Sequence, residues 1–257
     1  MSKYFRHFGL QRDPFLDTAD PHFYYETPSS LRAKSRLLQS IERAGGMTIV
    51  LGEPGTGKTS LCSDLEQKLM RDDKVVIGKI MDPTFASEVE FLVAVGRVFG
   101  VALPPRSSAA LKNALKNFFF DTAVLEDRTL VLIIDEAQNL SQECLETLRL
   151  LLNYHIPKKK LLNTLLFGQP ELEERIAAQQ NLADRVDSWI RLEALDEAAA
   201  STILRYRLER AGMLSGNELF SPEALKVVIR GAGGLPRRLT QLCLLYTSPS
   251  PRDRQKS

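Results

Sequence analysis

The sequence predicts an α/β domain with a parallel sheet covered by helices on both faces, followed by a small helical domain. Strand-like apolar runs alternate with helical segments up to about residue 194, and from Asp196 onward the pattern is wholly helical. Strands separated by helices pair in parallel through crossover connections. The run LVLIID at residues 130–135 is continuously apolar, which indicates a strand buried on both faces of the sheet.

The predicted elements follow one another in a regular order. Strands are predicted at residues 47–51, 75–80, 130–135, 161–167 and 189–192. Helices are predicted from apolar positions at helical spacing, at residues 59–70, 87–99, 111–124, 142–153 and 171–179. The helical domain is predicted to hold helices at residues 201–211 and 222–230 and a last helix after the break at Gly231, Gly233, Gly234 and Pro236.

Length and composition favour a globular protein. A chain of 257 residues suits one large domain or a core with a small appendage. The hydrophobic share of 44% and the charged share of 26% exclude disordered, collagenous and coiled-coil chains. No apolar stretch approaches the roughly 18 residues of a membrane span, and no signal peptide is recognised. Three widely separated cysteines argue against a disulfide framework or a zinc site, so a cytoplasmic location is expected.

The net charge comes from the C-terminal end. The chain has 34 Lys and Arg against 32 Asp and Glu, a net of +2. Residues 247–257 hold Arg252, Arg254 and Lys256 against Asp253, which is also a net of +2. The rest of the chain is therefore neutral, and a nucleic-acid role has no support from the overall charge, although a local patch could still bind.

The strongest motif is a phosphate-binding loop, GEPGTGKT, at residues 52–59. It fits the pattern GxxxxGK[ST] and falls between a predicted strand and a predicted helix, as the motif requires. Its glycines let the loop curl so that backbone N–H groups face phosphate oxygens. Lys58 would neutralise charge on the β- and γ-phosphates, and the Thr59 hydroxyl would bind Mg²⁺. The predicted nucleotide contacts are Gly52, Glu53, Pro54, Gly55, Thr56, Gly57, Lys58, Thr59 and Ser60. An incidental glycine-rich turn is the alternative.

An acidic pair follows the third predicted strand. Asp135 and Glu136 stand at its carboxyl end, where open α/β sheets bind ligands. Asp135 is suited to the Mg²⁺ shell, and Glu136 to polarising a water molecule for attack on the γ-phosphate. A strand end capped by solvated acids is the alternative. Downstream of a phosphate loop, the pair favours hydrolysis over nucleotide storage.

Seven segments together resemble one family. They are YFRHFGLQRDPF (4–15), DPHFYY (20–25), GEPGTGKTSL (52–61), LIIDEAQNL (132–140), KLLNTLLFGQPELEER (160–175), NLADR (181–185) and GGLPRR (233–238). The chain resembles the AAA+ ATPases of the general secretion pathway protein A (ExeA-like) group, which includes the ATPase of mannose-sensitive haemagglutinin pilus biogenesis. The resemblance implies an α/β P-loop NTPase (AAA+) fold, with a three-layer αβα core and a small all-α lid, and it implies ATP and Mg²⁺ as cofactors.

The resemblance also implies a division into domains. The nucleotide-binding core is expected at residues 1–194, with an adenine-pocket segment at 1–46, and the lid at 195–245. The ending YTSPSPRDRQKS departs from the amphipathic lid helix of the family. Residues 246–257 are therefore interpreted as a non-native tail, and the lid as truncated.

Further site residues follow from the resemblance alone. The family's FGLxxxPF segment would line the adenine pocket with Phe8, Gly9, Leu10, Pro14 and Phe15; a hydrophobic clasp on the core is the alternative. Gln169 matches the sensor-1 position, which responds to the γ-phosphate, with a turn-capping glutamine as the alternative.

Two arginine positions also match the family. Arg185 matches the arginine finger offered to a neighbouring subunit, with Arg175 and Arg191 as rivals. Arg237 matches the sensor-2 position in the lid, with Arg238 as its rival. A finger acting on a neighbour implies a head-to-tail homo-oligomer, either a ring or an open helix.

The resemblance implies a motor or assembly ATPase that serves an envelope secretion or pilus machine. A DNA-associated AAA+ ATPase of transposition or replication-initiation type is the alternative, and the neutral charge disfavours DNA as a partner. A nucleotide-dependent scaffold is a third reading, which Glu136 weakens. Membrane contact is expected only through a partner or an absent C-terminal part, which would place the protein at the inner face of the membrane.

Overall fold

The computed structural model describes residues 4–16, 20–43, 46–102, 107–157, 159–214 and 219–247, so the predicted tail from Ser248 onward lies outside them. The chain divides into two compact units. The sheet unit comprises Ser29–Gly52 and Leu61–Leu192, and the helical unit comprises the described parts of Met1–Pro28, Glu53–Ser60 and Glu193–Ser257. The N-terminal segment, which the sequence-based division assigns to the core, therefore groups with the C-terminal helices.

The structure has seven strands and eleven α-helices among the residues that it describes. The strands are β1 (Met47–Gly52), β2 (Val75–Ile80), β3 (Thr129–Ile134), β4 (His155–Ile156), β5 (Lys159–Lys160), β6 (Asn163–Gly168) and β7 (Val186–Leu192). The helices are α1 (Tyr4–His7), α2 (Pro28–Glu42), α3 (Lys58–Leu69), α4 (Glu88–Val98), α5 (Ser108–Phe120), α6 (Gln142–Leu152), α7 (Glu171–Ala177), α8 (Gln180–Ala183), α9 (Glu197–Arg210), α10 (Pro222–Ala232) and α11 (Pro236–Thr247). Short 3₁₀ turns lie at Pro21–Phe23 and Ala137–Asn139, and a π-helical turn lies at Asp121–Leu125.

The main sheet is parallel and has the strand order β2–β3–β6–β1–β7. Near the carboxyl ends of the strands, Ile134 of β3 pairs with Leu166 of β6, and Leu51 of β1 pairs with Gly168 of β6. The residues that follow β3 and β6 therefore emerge at one edge of the sheet. The predicted parallel α/β fold is confirmed.

Helices cover both faces of this sheet. Val50 and Phe167 point to one face and pack with buried residues of α2 and α3. Ile49 and Leu166 point to the other face and pack with buried residues of α4, α5 and α6. Neighbouring positions on each strand are thus buried on opposite sides, which explains the continuous apolar runs in the sequence. The predicted three-layer αβα core is confirmed.

Element boundaries differ from the predictions where polar residues interrupt an apolar pattern. Strand β7 begins at Val186 rather than at residue 189, because backbone pairing to β1 continues past the polar residues Asp187 and Ser188. The predicted helix 111–124 is α5, which ends at Phe120 and continues as the π-helical turn. Helix α2 was not predicted, because its buried face is narrow and comprises only Ala33, Leu37, Ser40 and Ile41.

The helical unit has its own apolar core. Leu10, Phe15 and Phe23 of the N-terminal segment are buried against residues of α9, α10 and α11. Asp196 and Ser221 cap α9 and α10, because their side chains accept hydrogen bonds from first-turn N–H groups. The predicted helical region after the core is confirmed. None of the described helices combines the length and the apolar character needed to cross a membrane.

Candidate nucleotide-binding site

The phosphate loop, which follows β1, adopts the curled backbone that its sequence predicts. Gly55 and Gly57 have φ angles of +86° and +98°, a region that side chains other than glycine rarely adopt. The Thr56 hydroxyl donates to the Glu53 carbonyl oxygen at 2.8 Å, and the Lys58 ammonium donates to the same oxygen at 3.1 Å. Lys58 is only 5% exposed at the start of α3. The loop is therefore preformed, with a positive charge held at a helix N-terminus, the arrangement that binds phosphates.

The other predicted loop residues lie in the phosphate loop itself or at the ends of the two elements that flank it. Pro54 lies within the loop, and Thr59 and Ser60 are the second and third residues of α3. Gly52 is the last residue of β1 and belongs to the sheet unit.

One lid arginine lies directly against the phosphate loop. The backbone N–H of Arg237 donates to the Gly55 carbonyl oxygen at 3.3 Å. A Cβ added to Gly55 would lie 3.0 Å from the Arg237 Cβ, whereas the Arg238 guanidinium lies 4.0 Å from the corresponding position on Gly233. Of the two candidates for the sensor-2 position, Arg237 is therefore the one that contacts the loop.

The acidic pair stands at the carboxyl end of β3. Asp135 is 2% exposed, and its backbone N–H donates to the Ile80 carbonyl oxygen of β2 at 2.9 Å. Its Oδ1 accepts from the backbone N–H of Glu136 at 3.0 Å. Glu136 has a φ of +51°, in the left-handed region, which costs a non-glycine residue about 1–3 kcal/mol. This turn redirects the chain immediately after the buried carboxylate.

A glutamine that was not predicted as a site residue joins the acidic pair to the end of β6. The Gln138 side-chain amide donates to Glu136 Oε2 at 2.6 Å, and its Oε1 accepts from the backbone N–H of Gln169 at 3.2 Å. The Arg175 guanidinium donates to the carbonyl oxygens of Gln138 and Leu140. Glu136 and Gln169, both predicted from the sequence, are thus linked through one side chain. The only sequence feature that could have indicated Gln138 is its position two residues after Glu136.

The three candidates for the arginine finger have different surroundings. Arg175 is engaged within its own chain, as described above, and Arg191 forms an ion pair with Glu173 at 2.6 Å. The Arg185 side chain has no hydrogen-bond or ion-pair partner in the part of the chain that the structure describes. Arg185 is therefore the candidate that would lose no contact within the chain on reaching a neighbouring molecule.

Burial sets the protonation of a thiol close to Asp135. It raises the pKa of Cys62 to about 12, with Lys79 opposing the shift and Asp135 adding to it. Lys79 donates to Glu66 at 2.6 Å. Burial, the largest single effect, would lower the pKa of Lys79, but the hydrogen bond with Glu66 and the nearby charges of Glu66 and Asp135 together raise it overall. Cys62 is thus a neutral core thiol at neutral pH, and Lys79 remains a charged neighbour of Asp135.

The predicted adenine-pocket residues do not share one environment. Leu10 is 3% exposed and Phe15 is fully buried, both within the core of the helical unit, whereas Phe8 is 41% exposed. Gly9 lies between Phe8 and Leu10, and the Pro14 carbonyl oxygen accepts from Arg207 Nε at 2.6 Å. Leu10 and Phe15 act here as a hydrophobic clasp on the C-terminal helices, and adenine contact by this segment stays a prediction.

This packing predicts a large stability difference between two phenylalanines. Phe15→Ala is expected to lower the free energy of unfolding by about 3–5 kcal/mol, because it removes a fully buried ring from a core. Phe8→Ala, the matched control at an exposed position, is expected to lower it by less than about 1 kcal/mol. Denaturant unfolding of both variants measures the difference. Equal losses would contradict the clasp.

ATP and Mg²⁺ are the cofactors that the loop and the acidic pair imply, and the residues fit them. Positive φ at Gly55 and Gly57 provides the curl, and a Cβ on Gly57 would meet nothing within 4 Å, so the space beside the loop is open. The side chains of Thr59 and Asp135 carry hydroxyl and carboxylate oxygens, the kind of ligand that Mg²⁺ prefers. Among the described residues no group of three or more His, Cys, Asp and Glu side chains is suited to hold a metal. Mg²⁺ that arrives with phosphates needs only one or two protein ligands.

A parallel sheet of this order with a phosphate loop after β1 defines a P-loop nucleoside triphosphatase. Comparison with known proteins narrows the class. A family model described as an AAA domain matches residues 41–176, more than half of the sequence, and the chain belongs to this family. It is also 32% identical over 245 residues to General secretion pathway protein A of Aeromonas hydrophila, a match that covers 93% of this chain and 43% of that protein. The chain is thus an AAA-type ATPase related to that protein, and it spans less than half of its length.

Solved structures share the fold. The ORC2 protein of Aeropyrum pernix, in ADPNP and ADP complexes, matches with a TM-score of 0.64 and 18% identity over 90% of this chain and 64% of that one. Cdc6p of Pyrobaculum aerophilum matches with a TM-score of 0.66 and 18% identity over 88% of this chain and 64% of that one. At this level of identity the likeness shows the fold alone.

Proposed function

We propose that this chain binds ATP with Mg²⁺ and hydrolyses it to drive the assembly or remodelling of an envelope secretion or pilus machine. The observation that supports ATP hydrolysis best is the presence in one chain of a preformed phosphate loop and of two carboxylates at the carboxyl end of β3. The AAA-domain match over residues 41–176 supports the same activity.

Each polar residue has a defined task in this proposal. Lys58 and the backbone of the phosphate loop bind the β- and γ-phosphates. Thr59 and Asp135 would hold Mg²⁺, and the ion would supply positive charge that neutralises the phosphates. Glu136 accepts a proton from the attacking water, and Gln169 orients that water or the γ-phosphate. Arg237, which lies against Gly55, reaches the phosphates from the lid.

The simplest experiment measures Mg²⁺-dependent ATP binding by calorimetry and phosphate release by the same protein. Tight binding that is lost with EDTA, followed by slow turnover, is expected. Absence of Mg²⁺-dependent affinity for adenine nucleotides would overturn the proposal. Duplex DNA added to the assay separates the two cellular roles. If duplex DNA stimulates ATP turnover, and this stimulation falls steeply as the salt concentration rises, the DNA-associated alternative is favoured.

We further propose that the site is completed by Arg185 from a neighbouring copy in a head-to-tail oligomer. Arginine suits this task because its permanent charge and planar shape stabilise charge that develops on the γ-phosphate. Its lack of a partner among the described residues supports the assignment.

This assignment predicts a concentration-dependent ATPase. The activity per subunit of the unmodified protein is expected to rise with protein concentration, because dilution separates the subunits. Arg185→Ala is expected to remove the rise and leave only the activity of the dilute protein. Arg191→Ala, whose exposed ion pair is worth about 0–1 kcal/mol, is the matched control and should keep the rise. A flat profile for the unmodified protein would exclude a finger acting between subunits.

The envelope role rests on the likeness to General secretion pathway protein A of Aeromonas hydrophila. A chain with this role would act at the cytoplasmic face of the inner membrane, where a partner protein holds it.

A further inference from the structure

The carboxylate of Glu136 is held at one of its two oxygens. Its Oε2 accepts the hydrogen bond from Gln138 Nε2 at 2.6 Å, a short distance that is typical of a bond to a charged acceptor. A general base uses one oxygen for the proton and gains from having the other fixed, because the geometry of proton transfer is then set in advance. The contact engages Oε2, so Oε1 is the oxygen that can take the proton without breaking it.

Gln138 is held in turn at the opposite side of its carboxamide. Its Oε1 accepts from the backbone N–H of Gln169 at 3.2 Å. This oxygen lies beside Gly168 at the end of β6, where an added Cβ would be at ordinary contact distance from it, 3.4 Å, but only 2.6 Å from Leu172 Cδ2, so the glycine makes room for Leu172. An amide side chain donates from its NH₂ group and accepts at its oxygen, which is the chemistry that both contacts require.

The backbone that carries Gln138 is fixed as well. The Arg175 guanidinium of α7 donates to the carbonyl oxygens of Gln138 and Leu140. Glu136 itself is in the left-handed region, and such a conformation persists only where its surroundings over-determine it. The contacts of Arg175 supply that restraint from a helix that follows β6.

We propose that Gln138 is a positioning residue that aligns the Glu136 carboxylate and links it to the strand end that carries Gln169. The inference rests on the proposed function, because it assigns a partner to the base of that reaction. The link joins the base to the position that senses the γ-phosphate, so that a shift of one displaces the other.

The test measures kcat, the KM for ATP and the ATP dissociation constant of Gln138→Met, which keeps the length of the side chain but removes both hydrogen bonds. We expect kcat to fall about 10–100-fold, the effect of a small misplacement of a catalytic group, and the dissociation constant to stay unchanged. Gln138→Glu keeps an acceptor for the Gln169 N–H but removes the donor to Glu136, and kcat is expected to fall as far. Gln142→Met, at the exposed first residue of α6, is the matched control and should behave as the unmodified protein.

A double-variant cycle separates positioning from a general structural effect. If Gln138 acts through Glu136, Gln138→Met produces no further fall in the Glu136→Gln background. The inference would be overturned if both Gln138 variants kept the kcat of the unmodified protein. It would also be overturned if Gln138→Met lowered kcat in the Glu136→Gln background by the same factor as in the unmodified protein. Should Gln138→Met unfold early in a thermal melt, the near-isosteric Gln138→Glu decides alone. If the unmodified protein releases no phosphate from ATP, both the proposed function and this inference fail. If the unmodified protein hydrolyses ATP and the Gln138 variants do so with the same kcat, only this inference fails.

Discussion

Replacing Lys58 with alanine is expected to weaken Mg²⁺-dependent ATP binding by at least about two orders of magnitude. The Lys58 side chain is 5% exposed and begins α3 directly after the curled loop. Loss of one partner from a buried charge pair costs about 3–5 kcal/mol, which corresponds to an affinity about 10²–10⁴-fold weaker. Calorimetric titration with Mg²⁺-ATP measures the loss directly.

Lys68→Ala is the matched control for this experiment, because Lys68 is an exposed lysine in the same helix. It should leave the affinity unchanged, and thermal melting should show that both variants are folded. Full affinity in Lys58→Ala would remove the phosphate-loop assignment, and with it the nucleotide site.

Replacing Glu136 with glutamine is expected to separate binding from hydrolysis. The amide keeps the size of the side chain and one acceptor oxygen, but it is too weak a base to accept the proton. A general base contributes about 10²–10⁴-fold to such a reaction, so kcat should fall by that factor. The ATP affinity should stay within the range of the unmodified protein, and ATP-bound oligomers should accumulate.

Steady-state phosphate release at saturating ATP measures kcat in Glu136→Gln, and size-exclusion chromatography with ATP measures the trapped oligomer. Glu143→Gln, an exposed position in the first turn of α6, is the control for the same substitution. Unchanged hydrolysis in Glu136→Gln would assign the base to another residue.

Sequence reasoning predicted the parallel sheet correctly. It also located the phosphate loop and the acidic pair, because each of these features is formed by residues that are close in sequence. Asp135 and Glu136 could be assigned from one apolar run that ends in two acids. The finger and sensor arginines could not be ranked in this way, since their roles depend on contacts with distant segments. The contact between Arg237 and Gly55 joins residues 182 positions apart, and no local spacing encodes it.

The N-terminal segment shows the same limit. Its motif marks the family, but the sequence does not say which surface its apolar residues cover. The structure places Phe15 in the core of the helical unit, where its ring contacts Phe220 with centroids 6.3 Å apart. A ring buried in this way stabilises the helical unit, whether or not neighbouring residues of the segment contact a nucleotide.

The sequence by itself determined the class of fold, the phosphate loop and the acidic pair, because strand periodicity, glycine conformation and a strand-end carboxylate are local properties. Only the tertiary structure decided that the N-terminal segment joins the C-terminal helices, that Arg237 rather than Arg238 contacts the loop, and that Gln138 bridges Glu136 and Gln169. These arrangements depend on which chain segments meet when β3 and β6 become neighbours and the terminal segments share a core. Contacts of this kind form between segments that are far apart in the sequence. A local sequence pattern therefore does not predict them.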